Sequence, residues 1–381
     1  MWQLDALRRR LGEDTAVVAV MSGHFVQRGD FAILSKWARA EAALLGGADL
    51  VLELPTPWAA ATAERFALGG AALLAATGVV THLAFGSECG RLEPLAAAAA
   101  CLDGPAYRGE LRRSLDGGMT FAAARQAAAR GLIGEDADCL SRPNNNLAVE
   151  YLRALASLSS AMEPVALPRV GADHDSGELG EYPSASAIRG RLLAGESWRG
   201  LLPDATAAVV DREMAAGRAP VTMARCERAV LARLRTMGEE ELRPYDGGGE
   251  GLYHRFYDAM RRAASVEELL ELSKTKRYTL ARLRRMLLHS YLGVLPPRQG
   301  QTPPYLRVLG ANGKGRALLR RMGDAAALPV LTKPGHVRRL GEEAQALFAL
   351  EARCTDLYTL AYPDLRRAKP GSEYTTGPVM L

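Results

Sequence analysis

The chain has 381 residues, of which 48% are hydrophobic and 24% are charged. This composition excludes a disordered chain, and the length suits two globular domains. The formal net charge is +5, so the distribution of charges along the chain is more informative than their sum.

The cysteines and the apolar runs predict a cytoplasmic protein. Five cysteines are scattered without the spacing of a metal site or a disulfide framework, which indicates reduced thiols. The first ten residues lack the apolar core of a signal peptide. The longest uncharged run, 66–83, is interrupted by glycines and ends in β-branched residues, so a helix, a turn and a strand are predicted there and no membrane span.

The first half alternates helices and strands. Leucines at helical spacing predict a helix over 2–11, and a continuous apolar run predicts a strand over 15–20 that is covered on both faces. Similar patterns predict further strands over 49–54, 81–85 and 164–170, and helices over 36–45, 63–77, 92–101, 120–130, 147–158 and 184–193. This order predicts an α/β fold with a doubly wound parallel sheet, in which ligands bind beyond the carboxyl ends of the strands.

From about residue 220 the pattern becomes mostly helical. Helices are predicted over 221–236, 251–263, 265–272 and 277–291, and a tail with several prolines follows. We therefore predict two domains, an α/β domain over 1–217 and a mainly helical domain over 218–381.

The second half contains a long basic stretch. No Asp or Glu occurs between Leu272 and Gly323, whereas an ordinary solvated surface mixes both signs of charge. This asymmetry predicts a phosphate-binding surface for RNA, and Tyr278 is a candidate to stack on a base. The alternative is a basic helix that faces acidic residues such as those near Glu239. The predicted RNA-binding residues are Lys274, Lys276, Arg277, Tyr278, Arg282 and Arg285.

Several loops of the first half have the composition of ligand-binding loops. The loop over 21–30 and the Gly86 loop each follow a strand, and Gly86 allows a nucleotide to approach the backbone closely. The asparagines over 144–146 can donate and accept hydrogen bonds, and the serines from Ser184 can cap a helix that attracts phosphate. Each pattern alone is also explained by an ordinary turn or cap. Asp173–His174–Asp175 has no further ligand at metal spacing, so no metal site is predicted.

Taken in chain order, these stretches resemble the tRNA(Met) cytidine acetate ligase family. The resemblance covers essentially the whole chain, which makes it more specific than any single motif. The matching stretches are 20–30, 35–40 (Ser-Lys-Trp-Ala-Arg-Ala), 47–55, 84–88 (Ala-Phe-Gly-Ser-Glu), 143–145, 167–171, 184–189 (Ser-Ala-Ser-Ala-Ile-Arg), 274–279 with Arg282, and 305–310.

The resemblance implies a nucleotidyltransferase-type ATP-binding domain over 1–217 and a tRNA-binding domain over 218–381. The family activates acetate with ATP to acetyl-adenylate and transfers the acetyl group to N4 of the wobble cytidine of elongator tRNA(Met). The expected partners are thus tRNA, acetate and ATP with Mg²⁺, and neither a membrane nor DNA. A non-catalytic RNA-binding protein remains the alternative, and the basic half argues against a third reading, an adenylyltransferase for a small metabolite.

By motif, the ATP contacts fall on Gly86, Asn144 and Arg169. Asn145 is an alternative because adjacent asparagines leave the register open. Ser184 and Arg189 occupy the helix start that faces phosphates in related nucleotidyltransferases. The resemblance assigns no catalytic residue here.

The family begins with a strand and a His-x-Gly-His loop that holds the ATP phosphates. No such motif lies between Met1 and Thr15. The expectation is therefore a doubly wound sheet in which this central first strand is missing. A start codon assigned too far downstream and a shortened protein both fit the sequence.

Overall fold

A computed structural model describes residues 2–169, 183–247 and 251–381. The strands are β1 (Val18–Ser22), β2 (Phe25–Val26), β3 (Asp30–Phe31), β4 (Leu50–Leu54), β5 (His82–Ser87), β6 (Glu163–Pro168), β7 (Leu306–Ala311), β8 (Val330–Leu331) and β9 (Val379–Met380). The helices of the first half are α1 (Trp2–Leu11), α2 (Lys36–Leu45), α3 (Thr56–Ala59), α4 (Ala63–Ala76), α5 (Leu92–Asp103), α6 (Pro105–Asp116), α7 (Phe121–Ile133), α8 (Pro143–Ser157), α9 (Ala185–Ala194) and α10 (Asp204–Ala215).

The second half adds eight helices within the described residues. They are α11 (Glu227–Arg235), α12 (Glu239–Leu242), α13 (Leu252–Arg262), α14 (Val266–Ser273), α15 (Leu280–Leu292), α16 (Gly313–Ala325), α17 (Glu342–Thr359) and α18 (Ser372–Thr375). None of the helices described in 2–169, 183–247 and 251–381 is both long and apolar enough to cross a membrane.

The longer strands of the first half form two parallel pairs. β1 pairs with β4 in parallel, with Val18 opposite Leu50. β5 pairs with β6 in parallel, with Gly86 opposite Leu167. The α/β fold predicted from the sequence is confirmed, and the carboxyl ends of the paired strands carry the loops predicted to bind ligands.

The sheet also receives strands from the second half, which the prediction of a mainly helical segment over 218–381 did not include. β7 pairs antiparallel with β4, and β8 and β9 pair in parallel with β7. Every residue of β4 and β7 is buried. The predicted boundary at 217 therefore does not separate a sheet from a helical body, because the chain returns to the first sheet after residue 305.

A cavity separates the two parallel pairs. It has a volume of about 690 Å³ and lies between β1 and β5, with α1 and α4 completing its mostly apolar wall. Within the described residues, β1 pairs only with β4 and β5 only with β6. The strand over 15–20 was predicted to be covered on both faces. Instead, all of β1 is half-buried, because the cavity lies along its outer edge.

The cavity predicts that a larger apolar side chain on its wall stabilises the protein. Ala84 in β5 lines the cavity and is exposed. We expect Ala84→Val to raise the free energy of unfolding by about 0.5–1 kcal/mol, because it buries additional methyl groups beside α1. Chemical denaturation measures this change, with Ala84→Thr as the isosteric polar control. A loss of stability with valine, larger than with threonine, would show that the space is already filled in solution.

Candidate functional site

The loop after β5 and the first turn of α8 hold each other through reciprocal hydrogen bonds. The Glu88 carboxylate accepts from the backbone N–H of Asn144 (3.0 Å), from the Asn144 side-chain amide (2.7 Å) and from the backbone N–H of Asn145 (2.7 Å). In return, the Asn145 side-chain oxygen accepts from the backbone N–H groups of Glu88 (2.8 Å) and Cys89 (3.2 Å). A carboxylate at this position satisfies the first N–H groups of the helix and complements its dipole.

Glu88 is ionised at neutral pH. Partial burial opposes its charge, but the hydrogen bonds from Asn144 and Asn145 outweigh burial and lower the pKa of Glu88. The loop after β5 is thus fixed to α8 by a carboxylate, and both asparagines are held in defined positions.

Three predicted nucleotide contacts lie together at this edge of the sheet. Gly86 is the second-last residue of β5, where a Cβ atom would lie 2.5 Å from Gln3 Nε2 and 3.5 Å from Arg169 Cγ. Arg169 follows β6, and its backbone N–H donates to the Ser87 carbonyl (3.0 Å). Its guanidinium donates to the Asn144 side-chain oxygen (3.4 Å). The parallel pairing of β5 and β6 therefore places Gly86 near Arg169, and the hydrogen bond from Arg169 adds Asn144 of α8 to the group.

The two asparagines whose register was ambiguous occupy different environments. Asn145 is 2% exposed, and its oxygen already accepts two backbone hydrogen bonds. Asn144 is half-buried, and its side chain lies between Glu88 and Arg169 at the surface of a cavity. The geometry therefore favours Asn144 as the residue that contacts a ligand, and Asn145 as the residue that holds the loop after β5 in place.

That cavity has a volume of about 750 Å³, which suits a nucleotide-sized ligand. Its wall carries both signs of charge. The charged lining residues are Glu88, Arg91, Glu135, Asp136, Asp138, Arg142 and Arg169.

A second group of basic side chains lies at the start of α9 and the end of β1. Ser184 caps α9, and its hydroxyl accepts from the Ala187 N–H (3.1 Å). Arg39 donates from one nitrogen to the carbonyls of Ser22 (2.9 Å) and Gly23 (2.7 Å). Burial lowers the pKa of Arg189, and the charge of nearby Arg28 lowers it further. Burial also lowers the pKa of Arg39, and the charge of Arg189 adds to this effect. Like charges that converge in this way are stabilised by a bound anion.

The chain between β6 and α9 includes Asp173–His174–Asp175, which lie outside the described residues.

Comparison with known proteins identifies the family. The family model described as HIGH Nucleotidyl Transferase matches residues 1–373. A tRNA(Met) cytidine acetate ligase from Syntrophomonas wolfei is 36% identical over 390 residues, which cover 97% of this chain and 94% of that protein. The chain belongs to the tRNA(Met) cytidine acetate ligase family. A second member, from Caldanaerobacter subterraneus, is 37% identical over 93% of this chain and 90% of its own.

Solved structures of a family member have the same fold. The apo crystal structure of Thermotoga maritima TmcAL aligns with a TM-score of 0.93 and 31% identity, covering 100% of this chain and 95% of that one. The same protein bound with α-thio ATP aligns with a TM-score of 0.91 and 30% identity, with the same coverage.

The basic surface predicted from the stretch without Asp or Glu divides into exposed and half-buried residues. Lys274, Lys276 and Arg277 are exposed in the turn between α14 and α15. Arg282 is half-buried and donates to the buried Asp246 carboxylate (2.9 Å). Arg285 is also half-buried, and burial together with nearby Arg282 lowers its pKa. The accessible positive charge is therefore concentrated in the turn.

Tyr278 does not present its ring to solvent in this structure. It is 7% exposed and belongs to the apolar core formed by α11, α13, α14 and α15. The guanidinium groups of Arg277 and Arg282 lie 5.8 and 5.3 Å from the ring centre. The ring therefore supports two arginines of the basic surface, and stacking on a base would require it to leave the core.

Helix α15 contacts the loop that follows β1. Gly29 has a φ of 73°, and a Cβ atom there would lie 2.4 Å from the Arg284 carbonyl carbon and from the Arg285 backbone nitrogen. Such an approach to backbone atoms requires glycine. The loop at the carboxyl end of β1 and helix α15 are thus in direct contact.

An ion network beneath this loop was missed from the sequence. Lys36 Nζ lies 2.8 Å from a Glu53 oxygen and 2.6 Å from a Glu373 oxygen, and these side chains are 0%, 3% and 1% exposed. A Cβ atom on Gly23 would lie 2.4 Å from the Glu53 carboxylate, so this carboxylate touches the loop backbone. The available signal was Glu53 itself, because a carboxylate inside an apolar strand requires a buried partner.

The network reaches the C-terminal segment through Thr355. The Thr355 hydroxyl donates to Glu373 (2.9 Å) and lies 3.2 Å from His24 Nδ1. Because its single proton goes to Glu373, the hydroxyl accepts from His24 Nδ1–H. Burial, followed by the charges of Lys36 and Arg39, lowers the pKa of His24 well below its ordinary value, so the imidazole is neutral. α17 and α18 therefore help to hold the loop after β1.

Proposed function

We propose that this chain is an ATP-dependent ligase that forms N4-acetylcytidine at the wobble position of elongator tRNA(Met). The observation that carries the proposal is the meeting of Asn144 and Arg169 at the wall of a nucleotide-sized cavity, with Gly86 in the neighbouring strand β5, in a chain of this family. A related structure with bound α-thio ATP supports ATP as the nucleotide. The exposed basic turn supports RNA as the acceptor.

The proposed reaction has two steps. An acetate oxygen attacks the α-phosphorus of ATP, so a new P–O bond forms and pyrophosphate leaves. The N4 amine of cytidine then attacks the carbonyl carbon of acetyl-adenylate. The new C–N bond replaces the C–O bond to AMP, and the amine loses a proton. Binding both substrates at one sheet edge provides the proximity that such transfers require.

In this proposal the two ends of ATP meet different parts of the edge. Asn144 and Arg169 offer amide and guanidinium groups, which suit the adenosine end. Ser184 and Arg189 lie at the start of α9, where the helix dipole and the nearby Arg39 favour phosphate. Positive charge at this end also offsets the negative charge that develops as pyrophosphate leaves.

We propose that Mg²⁺ enters the site bound to ATP. Over the described ranges, no group of three or more His, Cys, Asp or Glu is placed to hold a metal ion. Mg²⁺ is commonly held by substrate phosphates with few protein carboxylates, and it neutralises phosphate charge.

The first step can be tested alone. We expect the protein to exchange labelled pyrophosphate into ATP in the presence of acetate and not in its absence. Tight tRNA binding without acetate-dependent exchange would contradict the ligase proposal and favour a non-catalytic RNA-binding protein.

The exposed turn gives a prediction for tRNA binding. Replacing Lys274, Lys276 and Arg277 together by alanine is expected to reduce the salt dependence of tRNA binding. The magnitude of the negative slope of log association constant against log salt concentration should fall by about 2–3. ATP affinity is expected to change little, because the turn is not part of the cavity beside Asn144. Filter binding at several salt concentrations measures the slope.

The matched control for this variant removes three arginines from α6, namely Arg108, Arg112 and Arg113. It changes the net charge equally, in the first half of the chain. An equal loss of slope in both triple variants would show that tRNA responds to total charge and not to this turn.

A further inference from the structure

We infer that Glu88 is a positioning residue for the ATP edge, acting through Asn144. This inference rests on the proposed function and adds a residue that does not itself need to touch the nucleotide. Its basis is the set of three hydrogen bonds that the carboxylate accepts at the start of α8.

The orientation of the Asn144 side chain follows from its two partners. Its amide nitrogen donates to Glu88 (2.7 Å), so its oxygen faces the other way, where Arg169 donates to it (3.4 Å). A free asparagine side chain can exchange the positions of its nitrogen and oxygen by rotation. The carboxylate removes this freedom because it only accepts hydrogen bonds. Glu88 therefore determines which Asn144 atom faces Arg169.

The hydrogen bonds of Asn145 restrict the movement of the loop after β5 relative to α8. Asn145 fixes the backbone of Glu88 and Cys89, while Glu88 fixes the backbone of Asn144 and Asn145. Ser87 adds two contacts, because its hydroxyl accepts from the Gly90 N–H (3.0 Å) and its carbonyl accepts from Arg169. Binding groups that are held before the ligand arrives lose less conformational entropy on binding.

Glu88→Gln retains the size of the side chain and removes its charge and one acceptor oxygen. We expect the Kd for ATP to rise about 10- to 100-fold, the range for losing a hydrogen bond to a charged group. The effect is expected in KM for ATP, with kcat at saturating ATP within about threefold, because uniform binding is lost. The control Glu135→Gln removes the same charge from the same cavity wall, and we expect a rise at least tenfold smaller. Glu88→Asp, which keeps the charge, should recover part of the affinity.

A double-variant cycle separates positioning from a general loss of structure. If Glu88 acts through Asn144, Glu88→Gln in an Asn144→Ala background changes the Kd for ATP by less than about twofold. Thermal melts of all variants identify any that fail to fold, and calorimetric ATP titration of the folded ones gives the cycle.

Each outcome has a distinct meaning. Fully additive effects, or an unchanged Kd in Glu88→Gln, overturn the inference and leave the proposed function intact. If the unsubstituted chain binds no ATP, the proposed function fails, and the role of Glu88 fails with it. If Glu88→Gln and Glu88→Asp both fail to fold, Glu88 is a stability residue and the inference is wrong.

Discussion

Replacing Lys36 by methionine is expected to lower the free energy of unfolding by about 3–5 kcal/mol, the cost of removing one partner from a buried ion pair. The Lys36 ammonium group is fully buried between Glu53 and Glu373. Burial opposes its charge, but the two carboxylates outweigh burial and raise the pKa of Lys36. Methionine keeps a similar length and leaves two buried carboxylates facing each other. Urea denaturation gives the change as a shift of the midpoint.

Glu351 is a further buried carboxyl whose charge acts on Lys36 and Glu53, and Glu351→Gln is the matched control. Burial, with the charge of Glu53 next, raises the pKa of Glu351 to about 8, so at neutral pH the side chain is mostly protonated and glutamine imitates it. We expect a change of less than about 1 kcal/mol at about pH 4–5, where Glu351 is protonated in the folded state and largely protonated in the unfolded state, because a similarly shaped side chain keeps the contacts with Thr56. A midpoint for Lys36→Met within error of the original chain would contradict the buried network.

The same control gives a pH dependence with a definite sign. The folded-state pKa of Glu351 lies above its ordinary value, so its contribution to stability is complete at acidic pH and is lost as pH rises through about 8. Removing the titrating group in Glu351→Gln should flatten this fall. A fall between pH 5 and 9 that is equally steep in both proteins would contradict the assignment.

Replacing Arg169 by alanine is expected to weaken ATP binding by about 2–3 kcal/mol, or roughly 30- to 150-fold in Kd. The guanidinium lies at the cavity wall beside Asn144, so its loss removes a charged donor and a partner that orients the asparagine. Isothermal titration with ATP measures the change. The affinity for tRNA is expected to stay within about twofold, because Arg169 lies outside the basic turn over 274–277.

Arg169→Lys is the matched control because it keeps the positive charge and loses the planar fork of donors. An intermediate Kd is expected. If lysine and alanine weaken ATP binding equally, the planar geometry of the guanidinium is what matters. If neither changes the Kd, Arg169 is not an ATP contact.

Local signals predicted the helices better than the strands. Helix α2 begins and ends where the sequence predicted, because Ser35 caps it and Gly46 follows its last residue. The first strand was predicted over 15–20 and lies at Val18–Ser22. Strand limits depend on the partner, and here β1 extends as far as its pairing with Leu54. The missed helix α6 has an ordinary start at Pro105 that was not recognised as one.

Long-range contacts account for what the sequence could not show. β7 pairs with β4 across more than 250 residues, and no local pattern encodes that pairing. Glu373 contacts Lys36 across a still larger separation in the chain. At the site, the predicted residues Gly86, Asn144 and Arg169 lie on neighbouring elements, and the choice between adjacent asparagines needed the geometry around Glu88. Tyr278 was proposed to stack on a base because its sequence neighbours are charged, and those neighbours did not reveal that its ring is buried.

The central claim is that this chain acetylates tRNA at the expense of ATP. The most direct measurement incubates the protein with elongator tRNA(Met), ATP and labelled acetate, and then digests the tRNA to nucleosides. We expect label in N4-acetylcytidine from the wobble position, dependent on ATP and strongly reduced in Arg169→Ala at limiting ATP. Bound tRNA and bound ATP without labelled N4-acetylcytidine would contradict the account.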